Sequence, residues 1–289
     1  MNPLYTDDQI FIPIISDYGF KATFGNETNT LFLCKALQAL IKSDVPIKEV
    51  KFDKNTFEGF TQDGRSGIYD IACTDENNNH FIVEMQYGEA PNFIQRMKFY
   101  ALHKFNALVK KGKFDYANLS KIYCVAILAN NLIPFPNYHT VANLRSENGE
   151  LFDDQMTFVT VEMDKFTVQE TDIQSDLEKL IYTMKTIHTF TQPTQFPKFW
   201  NEEWLKIAID ELDRRKMTPD ERASFEILVA RNAEAVKAES RKIKEALASK
   251  NIEIIIKALK RDKLSIEEIA KDNGVSVDFV IDLQKKFLN

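Results

Sequence analysis

The sequence is poor in the features that would place it in several large classes of protein. Its 289 residues include only 9 glycines and 9 prolines, too few for a fibrous or low-complexity chain. No apolar run approaches the roughly 18 residues of a membrane-spanning helix, so we expect no membrane segment. The N-terminus lacks a basic region and an apolar core, so we expect no signal peptide and a cytoplasmic protein.

Cysteine and histidine are also scarce. The three cysteines, Cys34, Cys73 and Cys124, stand far apart, and we expect each to pack in the core of a protein from a reducing cytosol. The four histidines show no zinc-ligand spacing, and there is no CxxC motif. These absences argue against a zinc-binding or disulfide-stapled fold, and we expect no nucleotide cofactor.

There is no excess of positive charge. The net charge of −6 and a pI near 5.4 argue mildly against a protein that coats nucleic acid, although a local basic face remains compatible with them. What the chain does have is hydrophobic mass. Hydrophobic residues make up 44% of it, including 22 phenylalanines and 9 tyrosines, which is enough to bury one or two sizeable cores.

The order of apolar patterns predicts an α/β domain followed by helices. Alternating or continuous apolar residues predict strands over residues 47–53, 68–74, 80–87, 121–128 and 156–163. Apolar residues at helical spacing predict helices over residues 26–43 and 90–112. We therefore predict a sheet domain over residues 8–166 with flanking helices. A mostly helical region would follow over residues 167–289, ending in two short helices around "DNGVS".

The stretch "YDIACTDENNNHFIVEMQ", from Tyr69 to Gln86, reads as two strands joined by an Asp/Asn-rich turn. Residues two apart in a strand share a face, so Glu84 and Gln86 should project together. If the hairpin is symmetric about Asn77, Asp70 lies directly across from Glu84. Opposed residues have Cβ atoms about 4.5–5.5 Å apart, so two carboxylates and an amide would converge.

Adjacent carboxylates repel each other, and a cation between them removes the repulsion. Oxygen ligands suit Mg²⁺ or Mn²⁺, and the backbone carbonyl of Met85 could add one more ligand to Asp70 and Glu84. Such a metal can generate a hydroxide and offset the charge that grows on a phosphodiester. The alternative is that both acids lie on the solvated face of a two-stranded edge.

The stretches "SDYGFKATFGNETNTLFLCKALQALI", "YDIACTDENNNHFIVEMQ" and "FIQRMKFYALHKF" resemble the PD-(D/E)xK nuclease family transposases, also called recombination-promoting nucleases. The resemblance lies in the order of short blocks along nearly the whole chain. The blocks are D-x-x-F-K-x-x-F-G from Asp17 to Gly25, a lone Asp70, E-x-Q at Glu84 and Gln86, R-x-x-x-Y at Arg96 and Tyr100, and E-x-x-K-F from Glu162 to Phe166.

The resemblance implies a restriction-endonuclease-like core, a mixed sheet flanked by helices, with Asp70 and Glu84 as ligands of Mg²⁺ or Mn²⁺. It implies a metal-dependent DNA endonuclease linked to recombination, mobile elements or defence. Gln86 would occupy the place where many of these nucleases have a lysine, and it could orient the attacking water by hydrogen bonds. The partner would be DNA, and a double-strand break usually requires two active sites, which favours a homodimer.

Three further residues are candidates for contacts to DNA. Arg96 and Tyr100 are four apart and share a helix face, so Arg96 could grip a phosphate while Tyr100 packs at the edge of the site. The alternative is a surface arginine beside a core tyrosine. Lys21 could also approach a phosphate or be a solvated charge, and Asp17 before "YGFK" suits a helix N-cap or a turn.

Two other functions remain open from the sequence. The acidic charge, with Gln86 in place of a lysine, is compatible with a catalytically inactive DNA-binding or regulatory protein on the same fold. The long charged helices are compatible with an interaction protein whose C-terminal half does the work. The last two helices could form a DNA-reading helix-turn-helix or a hairpin that packs on its own chain or on a partner.

Overall fold

The computed structural model describes residues 9–57, 67–88, 92–109, 115–261 and 264–287. It divides into two compact units, the first ending at Arg222 and the second beginning at Ala223. The sequence predicts a domain boundary after residue 166. In the structure the last strand ends shortly before this residue and helices follow, but the division into domains there stays a prediction.

The first unit contains both helices and strands, and only helices occur in the described part of the second. The helices are α1 (Asp17–Phe24), α2 (Leu31–Ile41), α3 (Phe93–Leu108), α4 (Asp176–Thr186), α5 (Glu203–Leu212), α6 (Pro219–Arg261), α7 (Ile266–Asp272) and α8 (Val277–Phe287). The strands are β1 (Val50–Phe52), β2 (Thr56–Phe57), β3 (Gly67–Ile68), β4 (Ile71–Asp75), β5 (His80–Gln86), β6 (Ile122–Leu128), β7 (His139–Arg145) and β8 (Leu151–Glu162).

Most of the predicted elements of the sheet domain are present, with different ends. The helix predicted over residues 90–112 is α3, and residues 90–91 and 110–112 of that prediction lie outside the described residues. The strand predicted over residues 156–163 is the second half of β8, which begins five residues earlier, at Leu151. Strand β7, whose side chains are all exposed or half-buried, was not predicted from the sequence.

Six strands form one mixed sheet in the order β1-β4-β5-β6-β8-β7, and β2 and β3 form a separate pair. The central strands β5, β6 and β8 run parallel. β4 and β5 form the predicted antiparallel hairpin, and β7 pairs antiparallel with β8 at the far edge. The hairpin strand β5 is therefore bonded on both sides, to β4 and to β6.

Helices cover both faces of this sheet. One face carries the row Ile82, Cys124 and Phe158, which packs with α3 in a cluster that includes Phe93. The neighbouring row on the opposite face is Val83, Val125 and Val159, all fully buried. The apolar run of β6 is thus buried on both sides, as expected of a central parallel strand.

The three cysteines are buried and free, which confirms that they pack in the core instead of pairing. Burial raises the pKa of the thiols of Cys73 and Cys124 above the ordinary range. Burial therefore favours the neutral thiol at both positions and argues against a role for these two cysteines as nucleophiles.

The second unit ends in two short helices joined by a turn, as predicted. Ser265 and Glu268 form a capping box at the start of α7. Gly274 has a φ of +61° in the turn, a left-handed conformation that glycine adopts without strain. The Ser276 hydroxyl then accepts the Phe279 N–H at 3.2 Å, which caps α8.

Candidate active site

The turn of the β4–β5 hairpin is closed by its own polar side chains. The carboxylate of Asp75 accepts the backbone N–H groups of Asn77 and Asn79 at 2.9 and 2.7 Å. Asn78 has a φ of +62°, in the left-handed region that asparagine tolerates better than most residues. These contacts fix the turn and, with it, the register of the two strands.

The register places the two acidic residues opposite each other, as predicted. The last pair in the ladder is Ile71 with Val83, and one step further brings Asp70 across from Glu84. Glu84 is only 5% exposed, because β6 lies on the other side of β5 and pairs Glu84 with Ala126. The alternative of a solvated two-stranded edge is therefore wrong.

Two hydrogen bonds tie the carboxylates to the backbone across the hairpin. The Asp70 N–H donates to Glu84 Oε1 at 3.2 Å, and the Met85 N–H donates to Asp70 Oδ2 at 2.9 Å. The other oxygen of each carboxylate makes no hydrogen bond within the described part of the chain. Both side chains are thus oriented, and each keeps one oxygen available as a ligand.

The electrostatics of the pair favour a protonated Glu84 in the absence of a cation. Burial, together with the negative charge of Asp70, raises the pKa of Glu84 to about 8. Burial also raises the pKa of Asp70, while the Met85 N–H and the charges of Lys21 and Arg96 act in the opposite direction. The two carboxylates would therefore ionise together only at alkaline pH or beside a positive ion.

Gln86 and Arg96 are bonded to each other. The Arg96 Nη2 donates to Gln86 Oε1 at 3.0 Å. Gln86 ends β5 on the same face as Glu84, and Arg96 lies in the first turn of α3, which covers that face. The Arg96 guanidinium carbon stacks 4.9 Å from the centre of the Phe93 ring. Gln86 and Arg96 were both predicted site residues, but their contact was not foreseen.

Tyr100 packs beside the site through Tyr69, a residue that sequence reasoning missed. The Tyr100 ring meets Tyr69 edge-on at 5.2 Å. Tyr69 directly precedes Asp70 and is 3% exposed. Burial raises its pKa, and the charge of Glu84 is among the smaller contributors, which places Tyr69 within electrostatic range of that carboxyl. The sequence does contain a signal that could have identified Tyr69, because it is an aromatic residue immediately before the lone aspartate of the motif.

Lys21 lies on α1 and is engaged by a carboxylate. Its Nζ is 3.0 Å from Asp17 Oδ1, and both side chains are about half exposed. The charge of Lys21 nevertheless lowers the pKa of Asp70, so Lys21 acts on the site. The N-cap of α1 is Ser16, whose hydroxyl accepts the Gly19 N–H at 3.0 Å, and the prediction that Asp17 is the cap was wrong.

A cavity of about 200 Å³ opens at the carboxyl ends of β5, β6 and β8. Its lining includes Tyr87, which directly follows Gln86, and two polar side chains with structural partners. Asn130 donates to the Tyr87 carbonyl at 3.1 Å, and Lys185 donates to two backbone carbonyls at 2.9 and 2.6 Å. These bonds hold the strand ends in place beside Gln86.

A family model described as PD-(D/E)XK nuclease family transposase matches residues 14–231, which is most of the chain and includes the hairpin and α3. The chain belongs to this family. No curated protein and no solved structure matches it. Membership confirms the resemblance noted in the sequence. It also confirms the fold class, a mixed six-strand sheet flanked by helices and followed by a helical region.

Membership in the PD-(D/E)XK family also indicates the general role of the chain. The family is one of nucleases, so a nuclease or transposase-like role with DNA as the substrate follows at that level. Nucleases of the PD-(D/E)XK type generally use divalent metal ions. None of the helices in the described ranges is long and apolar enough to cross a membrane.

The hairpin fits the two-acid metal site of a PD-(D/E)XK nuclease. No group of three or more His, Cys, Asp or Glu side chains gathers anywhere in the described residues, so a metal would depend on fewer side chains. Asp70 and Glu84 each keep one carboxylate oxygen free of hydrogen bonds to the described chain. Burial raises the pKa of both carboxyls, and the charge of Asp70 raises the pKa of Glu84 further; a cation bound between them would relieve these effects. The residues present therefore fit Mg²⁺ or Mn²⁺.

The E-x-x-K-F block of the family has a structural role here. Glu162 is fully buried and accepts the backbone N–H groups of Leu132 and Ile133 at 2.5 and 2.8 Å. Lys165 pairs with Glu162 and donates to the carbonyls of Ile133 and Phe135, each at 2.7 Å. This ion pair therefore anchors the connection between β6 and β7.

Proposed function

We propose that this chain is a divalent-metal-dependent endonuclease that hydrolyses phosphodiester bonds in DNA. The observation that carries the proposal is the pair Asp70 and Glu84, a half-buried and a buried carboxyl that lie opposite each other at the end of the hairpin. A buried carboxyl with a pKa near 8 destabilises a fold at higher pH unless a cation is bound beside it. A pair of acids that destabilises the metal-free fold in this way is expected where the two carboxylates bind a metal ion.

The residues of the hairpin and of the neighbouring helices would have different roles in the site. Asp70, Glu84 and the Met85 carbonyl would hold Mg²⁺ or Mn²⁺, with Glu84 giving up its proton as the ion binds. The bound ion would supply a hydroxide nucleophile and offset the charge on the phosphodiester. Gln86 would orient the attacking water, and the cations Arg96 and Lys21 would attract the phosphate. Tyr100 would support the edge of the site.

We further propose a role in recombination, in the movement of mobile elements or in defence against foreign DNA. The nuclease-like part would comprise residues 8–166 and the helical region residues 167–289. A homodimer would supply the two active sites that a double-strand break needs, and the protein would act in the cytoplasm.

A second candidate function is DNA binding without cleavage. One observation favours it over cleavage: Gln86 is a neutral amide where many related nucleases have a lysine. A binding protein would hold DNA with a steep salt dependence, and removing the carboxylate of Glu84 would leave that binding unchanged.

Cleavage of supercoiled plasmid separates the two functions. The wild-type chain should nick the plasmid with Mg²⁺ or Mn²⁺, and both EDTA and Glu84→Gln should abolish nicking. Glu147→Gln is a matched control, because Glu147 is an exposed glutamate that the structure places in the turn between β7 and β8. Nicking that survives EDTA, or equal nicking by Glu84→Gln, would exclude the metal site on this hairpin. DNA binding without nicking under either ion would favour the second candidate.

A further inference from the structure

The contact between Gln86 and Arg96 determines which end of the Gln86 amide faces the site. A guanidinium has only donors, so the group 3.0 Å from Arg96 Nη2 must be the amide oxygen. The NH₂ group of Gln86 then points away from Arg96. It makes no hydrogen bond to any residue that the structure describes, and it is therefore available as a donor to water or substrate.

Arg96 is itself held in place. Its guanidinium stacks on Phe93, which is 1% exposed and belongs to the cluster beneath α3. The planar guanidinium loses less conformational freedom per hydrogen bond than a flexible ammonium does. Arg96 can therefore hold the amide of Gln86 in one orientation.

The charge of Arg96 reaches both acids. Its guanidinium is bonded to Gln86, which lies two residues from Glu84 on the same face of β5, so Arg96 brings a positive charge to the site although it is bonded to neither carboxylate. A lysine at position 86 would provide a positive charge and a hydrogen-bond donor in one group. Here the charge comes from Arg96 and the donor from Gln86.

We propose that Gln86 and Arg96 act as one unit that replaces the lysine, with Gln86 as the hydrogen-bond donor and Arg96 as the residue that positions it and supplies the charge. This inference rests on the proposed nuclease function. It assigns Gln86 the role of a donor, because the amide oxygen is already bonded to Arg96 and the NH₂ group is the end left facing the site.

The proposal predicts that the two positions are coupled. Gln86→Lys would place an ammonium against the Arg96 guanidinium, and like charges at hydrogen-bond distance repel. Arg96 should therefore be needed when residue 86 is glutamine and dispensable or harmful when it is lysine.

The first test is made on the metal-free chain and does not depend on activity. In an amide ¹⁵N–¹H spectrum, the side-chain NH₂ signal of Gln86 is identified by its loss in Gln86→Lys. Arg96→Ala should shift this signal toward the position of a solvated amide, while Lys98→Ala, which removes an exposed cation from the same helix, should leave it unchanged. An identical signal in the wild type and Arg96→Ala would overturn the orienting role.

The second test measures kcat and KM for plasmid cleavage in a double-mutant cycle. Arg96→Ala should lower kcat about 100-fold, the order expected for losing one oriented donor, in addition to any rise in KM from the lost attraction to phosphate. Arg96→Lys should restore part of the loss, and in the Gln86→Lys background Arg96→Ala should not lower kcat. Equal losses of kcat in the wild-type and Gln86→Lys backgrounds, or a change in KM alone, would refute the proposal that Gln86 and Arg96 act as one unit. A wild type that cleaves nothing would refute the proposed function, while the amide signal would still decide whether Arg96 orients Gln86.

Discussion

Replacing Glu84 by glutamine should make the metal-free protein more stable at alkaline pH. In the folded chain the pKa of Glu84 is raised to about 8, whereas the unfolded chain has the ordinary value of 4.5. Between these values the folded state keeps the proton and the unfolded state has lost it. The stability that the protonated carboxyl contributes is complete below pH 4.5, and it is lost as the pH rises through 8.

The size of the effect follows from the two pKa values. Raising a carboxyl pKa from 4.5 to about 8 corresponds to about 5 kcal/mol between the fully protonated and fully ionised limits. Between pH 5 and pH 9 the free energy of unfolding of the wild type should therefore fall by about 4 kcal/mol relative to Glu84→Gln. The glutamine cannot ionise, and its amide oxygen can still accept the Asp70 N–H that Glu84 Oε1 accepts.

Urea unfolding in EDTA at each pH, followed by tryptophan fluorescence, measures this difference. The chain has two tryptophans, Trp200 and Trp204, and both are buried in the first unit, which contains the hairpin. The signal therefore reports the unit that carries Glu84. Adding Mg²⁺ at pH 9 should stabilise the wild type and leave Glu84→Gln unchanged, because only an ionised Glu84 completes the metal site.

The control is Glu147→Gln, which should follow the wild type at every pH. A free-energy difference between the wild type and Glu84→Gln that stays constant from pH 5 to pH 9 would show that Glu84 ionises at an ordinary pKa. The electrostatic account of the carboxylate pair would then be refuted, whatever the chain does to DNA.

Three other predictions follow from the described contacts. At pH 7, binding of Mn²⁺ should release close to one proton from Glu84, and calorimetry in buffers of different ionisation enthalpy measures this release. A binding enthalpy that is the same in all buffers would contradict the prediction. Lys165→Ala should lower the free energy of unfolding by about 3–5 kcal/mol because it leaves Glu162 buried and unpaired. A loss as small as that of the exposed control Lys98→Ala would contradict it. Ser265→Ala should speed amide hydrogen exchange in α7, because the capping interaction contributes about 1 kcal/mol to the stability of that helix. Exchange in α2 is the internal control, and unchanged exchange in α7 would contradict the prediction.

The geometry of the hairpin could be predicted because the interactions that set it are local. The Asp/Asn-rich turn and the alternation of apolar residues specify one register, and that register places Asp70 across from Glu84. The apolar run of β6 likewise predicted a central strand without any knowledge of its neighbours.

Contacts between distant segments were not predictable in the same way. That Glu84 is buried depends on β6 pairing with β5 from about 40 residues further along the chain. The bond between Gln86 and Arg96 depends on how α3 lies across the sheet, which neither motif encodes. β7 was missed because exposed residues such as Val141 and Leu144 alternate with polar ones at an open edge, which gives no clear apolar period.

The proton of Glu84 connects the stability of the fold to the proposed chemistry. Below pH 6 the protonated carboxyl stabilises the sheet but is a poor metal ligand. Above pH 8 the carboxylate binds a cation well and destabilises the chain that lacks one. Arg96 works against the effects of burial and of Asp70 on the Glu84 pKa, so it moves the pH of metal binding toward neutrality. Losing Arg96 should therefore raise the pH at which Glu84 gives up its proton to a metal ion, in addition to releasing the orientation of Gln86.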